Sequence, residues 1–184
     1  MKFPSLSDNA PLADVFASFP GTVPALMGFI EAVMRAPGPL DIAERELISA
    51  YVSAGNACTF CYGSHTIYAE AFGIEKGLIA ALVDDFEAAP LDQKMKAMLR
   101  YVMKLNTMPA RYAQADLDAV LSAGWTEEAV FQGVQVAGLF HMMNRVVEGM
   151  GVTFDPLTAR EAHPASQLGD RAREHHFVQA EPAT

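Results

Sequence analysis

Apolar residues recur at three- and four-residue spacing in nearly every stretch between glycine and proline breaks, which is the repeat of a helix buried along one face. Stretches that alternate apolar and polar residues and are rich in β-branched side chains, the mark of strands, are missing. The pattern predicts an all-α fold. Leu12, Val15, Phe16 and Phe19 predict a first helix closed by Pro20 and Gly21. Leu26, Phe29, Ile30, Val33 and Met34 predict a second, closed by Pro37, Gly38 and Pro39, and the two are expected to pack as a hairpin. Asp41 with Glu44 has the form of a capping box opening a helix through Ile42, Leu47, Ile48, Tyr51 and Val52, ending near Gly55. Asn56 is the expected N-cap of the next, which runs through Cys58, Cys61 and His65 to Phe72 and Gly73.

A short helix over 75–83 follows, then a longer one introduced by Asp92 with Met95, Met98, Leu99, Val102 and Leu105 on one stripe, stopped at Met108 and Pro109. Leu117, Val120 and Leu121 mark another, closed by Gly124. Thr126 caps the last, with Glu127 and Glu128 in its first turn, and it runs to about Gly151. From Asp155 the chain turns polar, gains prolines and holds three of the five histidines. The expected organisation is a helical domain over residues 1–154 and a polar C-terminal tail or inter-subunit arm over 155–184.

The 184 residues suit one domain. With 51% hydrophobic and 19% charged residues, either the core is large or subunits bury surface on one another. A net charge of -9 argues against nucleic acid and anionic membranes as partners, since both need clustered Lys and Arg. No apolar run approaches the length of a membrane span, and Pro4 and Asp8 interrupt the start where a secretory signal would be unbroken. A cytoplasmic protein is expected. The only two cysteines, Cys58 and Cys61, lie three residues apart. A disulfide-stapled secreted domain does not use cysteine this way, whereas a redox-active or metal-binding pair does.

On a continuous helix, Cys58, Cys61 and His65 fall within an arc of about 60°. Free amide N–H groups and the macrodipole at a helix start stabilise a thiolate, and the spacing permits a disulfide within one turn. His65, one turn beyond Cys61, could accept a thiol proton. Glu46 precedes Cys58 by twelve residues. An antiparallel helix pair could return its carboxylate to the imidazole, orienting it and raising its basicity.

Glu46, then eleven residues, then Cys-x-x-Cys-x-x-x-His resembles the signature of the AhpD-like alkylhydroperoxidase family, within the carboxymuconolactone decarboxylase superfamily. Ala123 to Glu128 and Phe140 to Arg145 resemble the second half of that family's uncharacterised peroxidase-related members, so the likeness covers roughly residues 20–152. It implies an orthogonal helical bundle whose subunits form homo-oligomers, and a peroxidase cycle without haem, metal or other cofactor. Cys61 would attack a hydroperoxide and become a sulfenic acid, with His65 and Glu46 relaying protons. Cys58 would close the disulfide. A dithiol protein, lipoyl- or thioredoxin-like, would reduce it through Cys58, taken as the more exposed sulfur. One departure is Phe60, which stands where the best-known alkylhydroperoxidases place a histidine between the cysteines.

Other readings stay open. A non-catalytic oligomeric module could sense oxidation through the pair or bind metal, although Cys58, Cys61 and His65 on one helix suit tetrahedral closure poorly. A decarboxylase-like lyase would not need the cysteines. Tyr51 and Tyr62 are expected to pack, the methionines to fill core, and Asn144 and Arg145 to be structural, with Arg145 in a buried ion pair with an acidic side chain. His163, His175 and His176 are expected to be exposed or at a subunit contact.

Overall fold

The computed structural model describes residues 3–8, 10–153, 159–168, 171 and 174–178, and among these there are helices and turns but no strand. The helices are α1 (Leu12–Ser18), α2 (Val23–Met34), α3 (Ile42–Gly55), α4 (Thr59–Ala71), α5 (Leu78–Asp84), α6 (Gln93–Thr107), α7 (Gln114–Ser122), α8 (Glu127–Met150) and a single turn, α9 (Ala159–Ala162). No single helix among the described residues is long and apolar enough to cross a membrane.

α3 is the centre of the bundle. It packs chiefly on α4 and also on α8, α6 and α5, so both faces are covered and Leu47, Ile48, Ala50 and Val52 are all buried. Full burial of each large aliphatic side chain contributes about 1.5–3 kcal/mol. The helix starts where the sequence indicates: Asp41 accepts from the Glu44 N–H at 2.8 Å and Glu44 returns a bond to the Asp41 N–H at 2.8 Å. Fully buried Arg45 ties this start to the preceding turn, donating to Leu40 O at 2.9 and 2.6 Å and to Ala36 O at 2.6 Å. Gln132 of α8 accepts from the Leu40 N–H at 2.9 Å. Gly38 admits that side chain, since a Cβ there would meet Gln132 Nε2 at 2.4 Å.

Two local expectations change. α1 and α2 do not form a hairpin, because the chain bends by 91° between them. Only Phe19 separates α1 from the 3-10 turn Pro20–Thr22, which leads straight into α2 and leaves no room for a reversal. Asn56 does not cap α4. The end of α3 is a Schellman motif, with Cys58 N–H bonded to Ser53 O at 3.0 Å and Ala57 N–H to Ala54 O at 3.0 Å. Ala57 takes the left-handed position at φ 56°, and Cys58 becomes the N-cap of α4. The remaining helices start and stop near the predicted punctuation, with Asp92 and Thr126 as side-chain caps.

Candidate active site

The packing of α3 on α4 brings Glu46 to His65, whose Nδ1 lies 2.5 Å from Glu46 Oε2. On the other side of the carboxylate, Arg35 Nη1 lies 2.7 Å from Oε1, and both of these side chains are fully buried. Arg35 follows the last residue of α2. Its other contacts are to Met34 O at 3.1 Å and His175 O at 3.2 Å, while its guanidinium lies over the rings of Phe177, Phe72 and Tyr68. Burial alone would raise the Glu46 pKa. His65 and Arg35 reverse that and hold it below the ordinary carboxylate value. Glu46 is therefore an anion inside the protein, bound to His65 through Nδ1.

Cys58 and Cys61 are free thiols. Cys58 is held below the ordinary thiol value, first because the Cys61 thiol donates to it; burial and the Glu148 carboxylate act in the opposite direction. Cys61 is pushed upward because it is that donor and because it is buried. The pair therefore releases its first proton as a unit, with the charge favoured on Cys58. α8 supplies the polar surroundings: Asn144 reaches Cys61 and Glu148 reaches Cys58, one turn apart on the same helix. Asn144 is fixed by donating to Ser53 Oγ at 2.9 Å and accepting from Asn56 Nδ2 at 2.8 Å, and Asn106 donates to Asn56 at 2.9 Å.

A cavity of about 190 Å³ opens beside this centre. Cys61, Ser64, His65 and Tyr68 of α4 form its polar side, and Leu12, Phe16, Met27, Ile30, Phe60 and Phe140 are among its apolar walls. A larger space of about 490 Å³ borders a different face of α4, at Thr59, Tyr62, Glu70, Lys76 and Arg160. None of the candidate residues lines it, so the smaller cavity is the one joined to the sulfur chemistry.

The structure thus brings Glu46 to His65 and Cys58 to Cys61, and puts Cys61 and His65 on one cavity. One expectation is corrected. Cys58 is not the more exposed sulfur, since it is 0% exposed and Cys61 3%. As the N-cap, Cys58 sits under the end of α3 and against α8, whereas Cys61 is one turn into α4 and borders the cavity. Arg145 is not in the expected buried ion pair: it is exposed and donates to His141 O at 2.6 Å, while Asn144 joins the amide network. His176 is exposed as expected, but the other two tail histidines are not. His163 is half-buried and lies 2.8 Å from Ser64 Oγ, and His175 lies 3.3 Å from the Tyr68 hydroxyl. Arg35 escaped the sequence reading, although a buried carboxylate demands a countercharge and the cation follows the apolar stripe of α2 directly.

The structure is an all-helical bundle with Cys-x-x-Cys at a helix start and a Glu–His pair alongside. Residues 20–103 match the model of the Carboxymuconolactone decarboxylase family. The fold is similar to that of an alkylhydroperoxidase AhpD core, an uncharacterized peroxidase-related protein from Ralstonia eutropha JMP134, with TM-score 0.73 and 23% identity over 79% of this chain and 78% of that one. A peroxidase-related protein from Silicibacter sp. TM1040 gives TM-score 0.72 and 25% identity over 77% and 74%. The debrominase Bmp8, in complex with 2,3,4-tribromopyrrole, gives TM-score 0.68 and 15% identity over 80% and 77%. No curated protein matches the chain by sequence.

Proposed function

We propose that this chain is a thiol-dependent peroxidase that reduces hydroperoxides through Cys61 and Cys58, with His65 and Glu46 as the proton relay. The observation that carries the reading is the buried chain Arg35, Glu46, His65, which ends on the same small cavity as a free thiol of a Cys-x-x-Cys pair. A carboxylate held against an imidazole orients that ring and raises its basicity, and Arg35 offsets the cost of burying the charge.

In the cycle, Cys61 sulfur attacks the outer peroxide oxygen and the O–O bond breaks. The thiol proton passes by way of the relay to the departing alkoxide, giving an alcohol and a Cys61 sulfenic acid. Cys58 sulfur then attacks Cys61 sulfur, and the sulfenic oxygen leaves as water with the Cys58 proton. A dithiol reduces the disulfide by two exchange steps and leaves as its own disulfide. Cys61 takes the first role because it borders the cavity. The Cys61 thiol donates to the Cys58 sulfur, so the two sulfurs already face one another for the disulfide step. Because Cys58 is covered, the lipoyl- or thioredoxin-like donor would have to part its contacts with α8 or enter along the cavity. Catalysis between turnovers needs reduced thiols, which suits a cytoplasmic setting, and we extend the proposal to a homo-oligomeric assembly.

Among the described residues no three His, Cys, Asp or Glu side chains converge as a metal-ligand set. The test is peroxide consumption with excess dithiothreitol: one dithiol should be oxidised per hydroperoxide, and Cys61→Ser should abolish turnover. Undiminished turnover in Cys61→Ser would remove the proposal.

A further inference from the structure

Beyond the sulfur chemistry, the C-terminal segment makes contacts that the cycle does not require. His163 lies 2.8 Å from Ser64 Oγ and packs edge-on against Tyr68. Farther along, the Glu31 carboxylate of α2 accepts from the N–H groups of Phe177 at 2.8 Å and Val178 at 3.2 Å, and also pairs with His176. Between these ties, the Phe177 ring lies 4.3 Å from the Arg35 guanidinium and 5.8 Å from the centre of the Tyr68 ring. The same ring completes the wall of the cavity that holds Cys61 and His65.

We propose that this segment is a strap, latched by Glu31, whose Phe177 sets the bulk of the molecule that can reach Cys61. The inference deepens the peroxidase reading and rests on it only in taking the cavity as the substrate's route. Three observations support it. The cavity, at about 190 Å³, is smaller than the roughly 300–1,000 Å³ typical of pockets for larger ligands. Its other walls belong to helices α1, α2, α4 and α8 of the packed bundle, whereas Phe177 lies outside every helix among the described residues. The latch consists of a few hydrogen bonds to one carboxylate at the surface, and contacts of that kind open locally at low cost compared with core packing. Glu31 itself touches neither sulfur nor the Glu46–His65 pair.

The test measures access to Cys61 without any peroxide. Reduced protein is alkylated with iodoacetamide and, separately, with a bulky aromatic maleimide, and Cys61 modification is followed by peptide mass mapping. Glu31→Ala and Phe177→Ala should each raise the bulky-to-small rate ratio by about tenfold, the size expected from losing a charge-assisted hydrogen-bond pair. Glu31→Gln keeps an acceptor and should fall between. An unchanged ratio in both alanine variants, or an equal rise with both reagents, overturns the strap. Loss of the peroxidase reading would leave this ratio intact, and loss of the strap would leave peroxide turnover in the wild-type chain intact, so the two outcomes are separable.

Discussion

The residue with most at stake is Glu46. A carboxylate removed from water is tolerated only because Arg35 and His65 occupy its two oxygens. Glu46→Gln preserves volume but leaves the Arg35 charge buried without its partner. The expected loss is about 3–5 kcal/mol of unfolding free energy, read from urea denaturation. Turnover of the folded fraction should fall by about a hundredfold or more, the usual size of a general acid–base contribution. His65→Gln separates the two effects, because it leaves the Arg35–Glu46 pair in place: it should lose comparable activity with a much smaller loss of stability. Equal stability losses in both variants would mean that Arg35 does not depend on Glu46. That Glu46 meets His65 was legible in the spacing taken together with the family resemblance. Arg35 could not be read so, because its partner is 11 positions away in sequence and the pairing depends on how α2 meets α3.

At the scale of the element, helix starts were legible wherever a side chain does the capping. Asp41, Asp92 and Thr126 all cap as their residue types dictate. The junction of α3 and α4 was not, because Asn56 is a strong N-cap type that the Schellman geometry overrides. Alanine at the left-handed position gives no sequence signal, as glycine is the residue ordinarily found there. That geometry predicts an ordered pair of outcomes. Ala57→Gly relieves the left-handed strain at some cost in chain entropy and should leave stability unchanged or raise it by up to about 1 kcal/mol. Ala57→Val puts a β-branched side chain at positive φ and should lower it by more than about 1–2 kcal/mol. Chemical denaturation midpoints check both. Equal effects of glycine and valine would rule out the left-handed Ala57 and with it the placement of Cys58 as N-cap.

For the whole molecule, the all-helical class followed from periodicity, but the return of the C-terminal segment onto α4 and α2 did not. Its prolines and scattered apolar residues carry no period, and the contacts of His163, His175 and Phe177 join positions about a hundred or more residues apart. That return makes stability depend on pH in a stated direction. His163 is pushed down to about 4 from the ordinary 6.5, first by burial and then by the nearby His65 and His175, with Glu46 acting against them. Ser64 and Tyr68 face the same ring as neutral partners. A histidine whose folded pKa is depressed stays neutral in the folded chain while the unfolded chain takes up a proton, so its burial costs nothing above pH 6.5 and destabilises progressively between 6.5 and about 4. Glu46 follows at lower pH. Its folded pKa lies below the ordinary 4.5, so the stability from its ion pairs is present above that value and is lost as the pH falls through the folded pKa. The thermal midpoint should therefore decline in two stages on acidification. His163→Gln, which keeps a hydrogen-bonding partner for Ser64 but cannot be protonated, should flatten the first stage between pH 6.5 and 4 and leave the second. An unaltered first stage in that variant would show that His163 is not held neutral against α4, because no other route gives the glutamine that immunity.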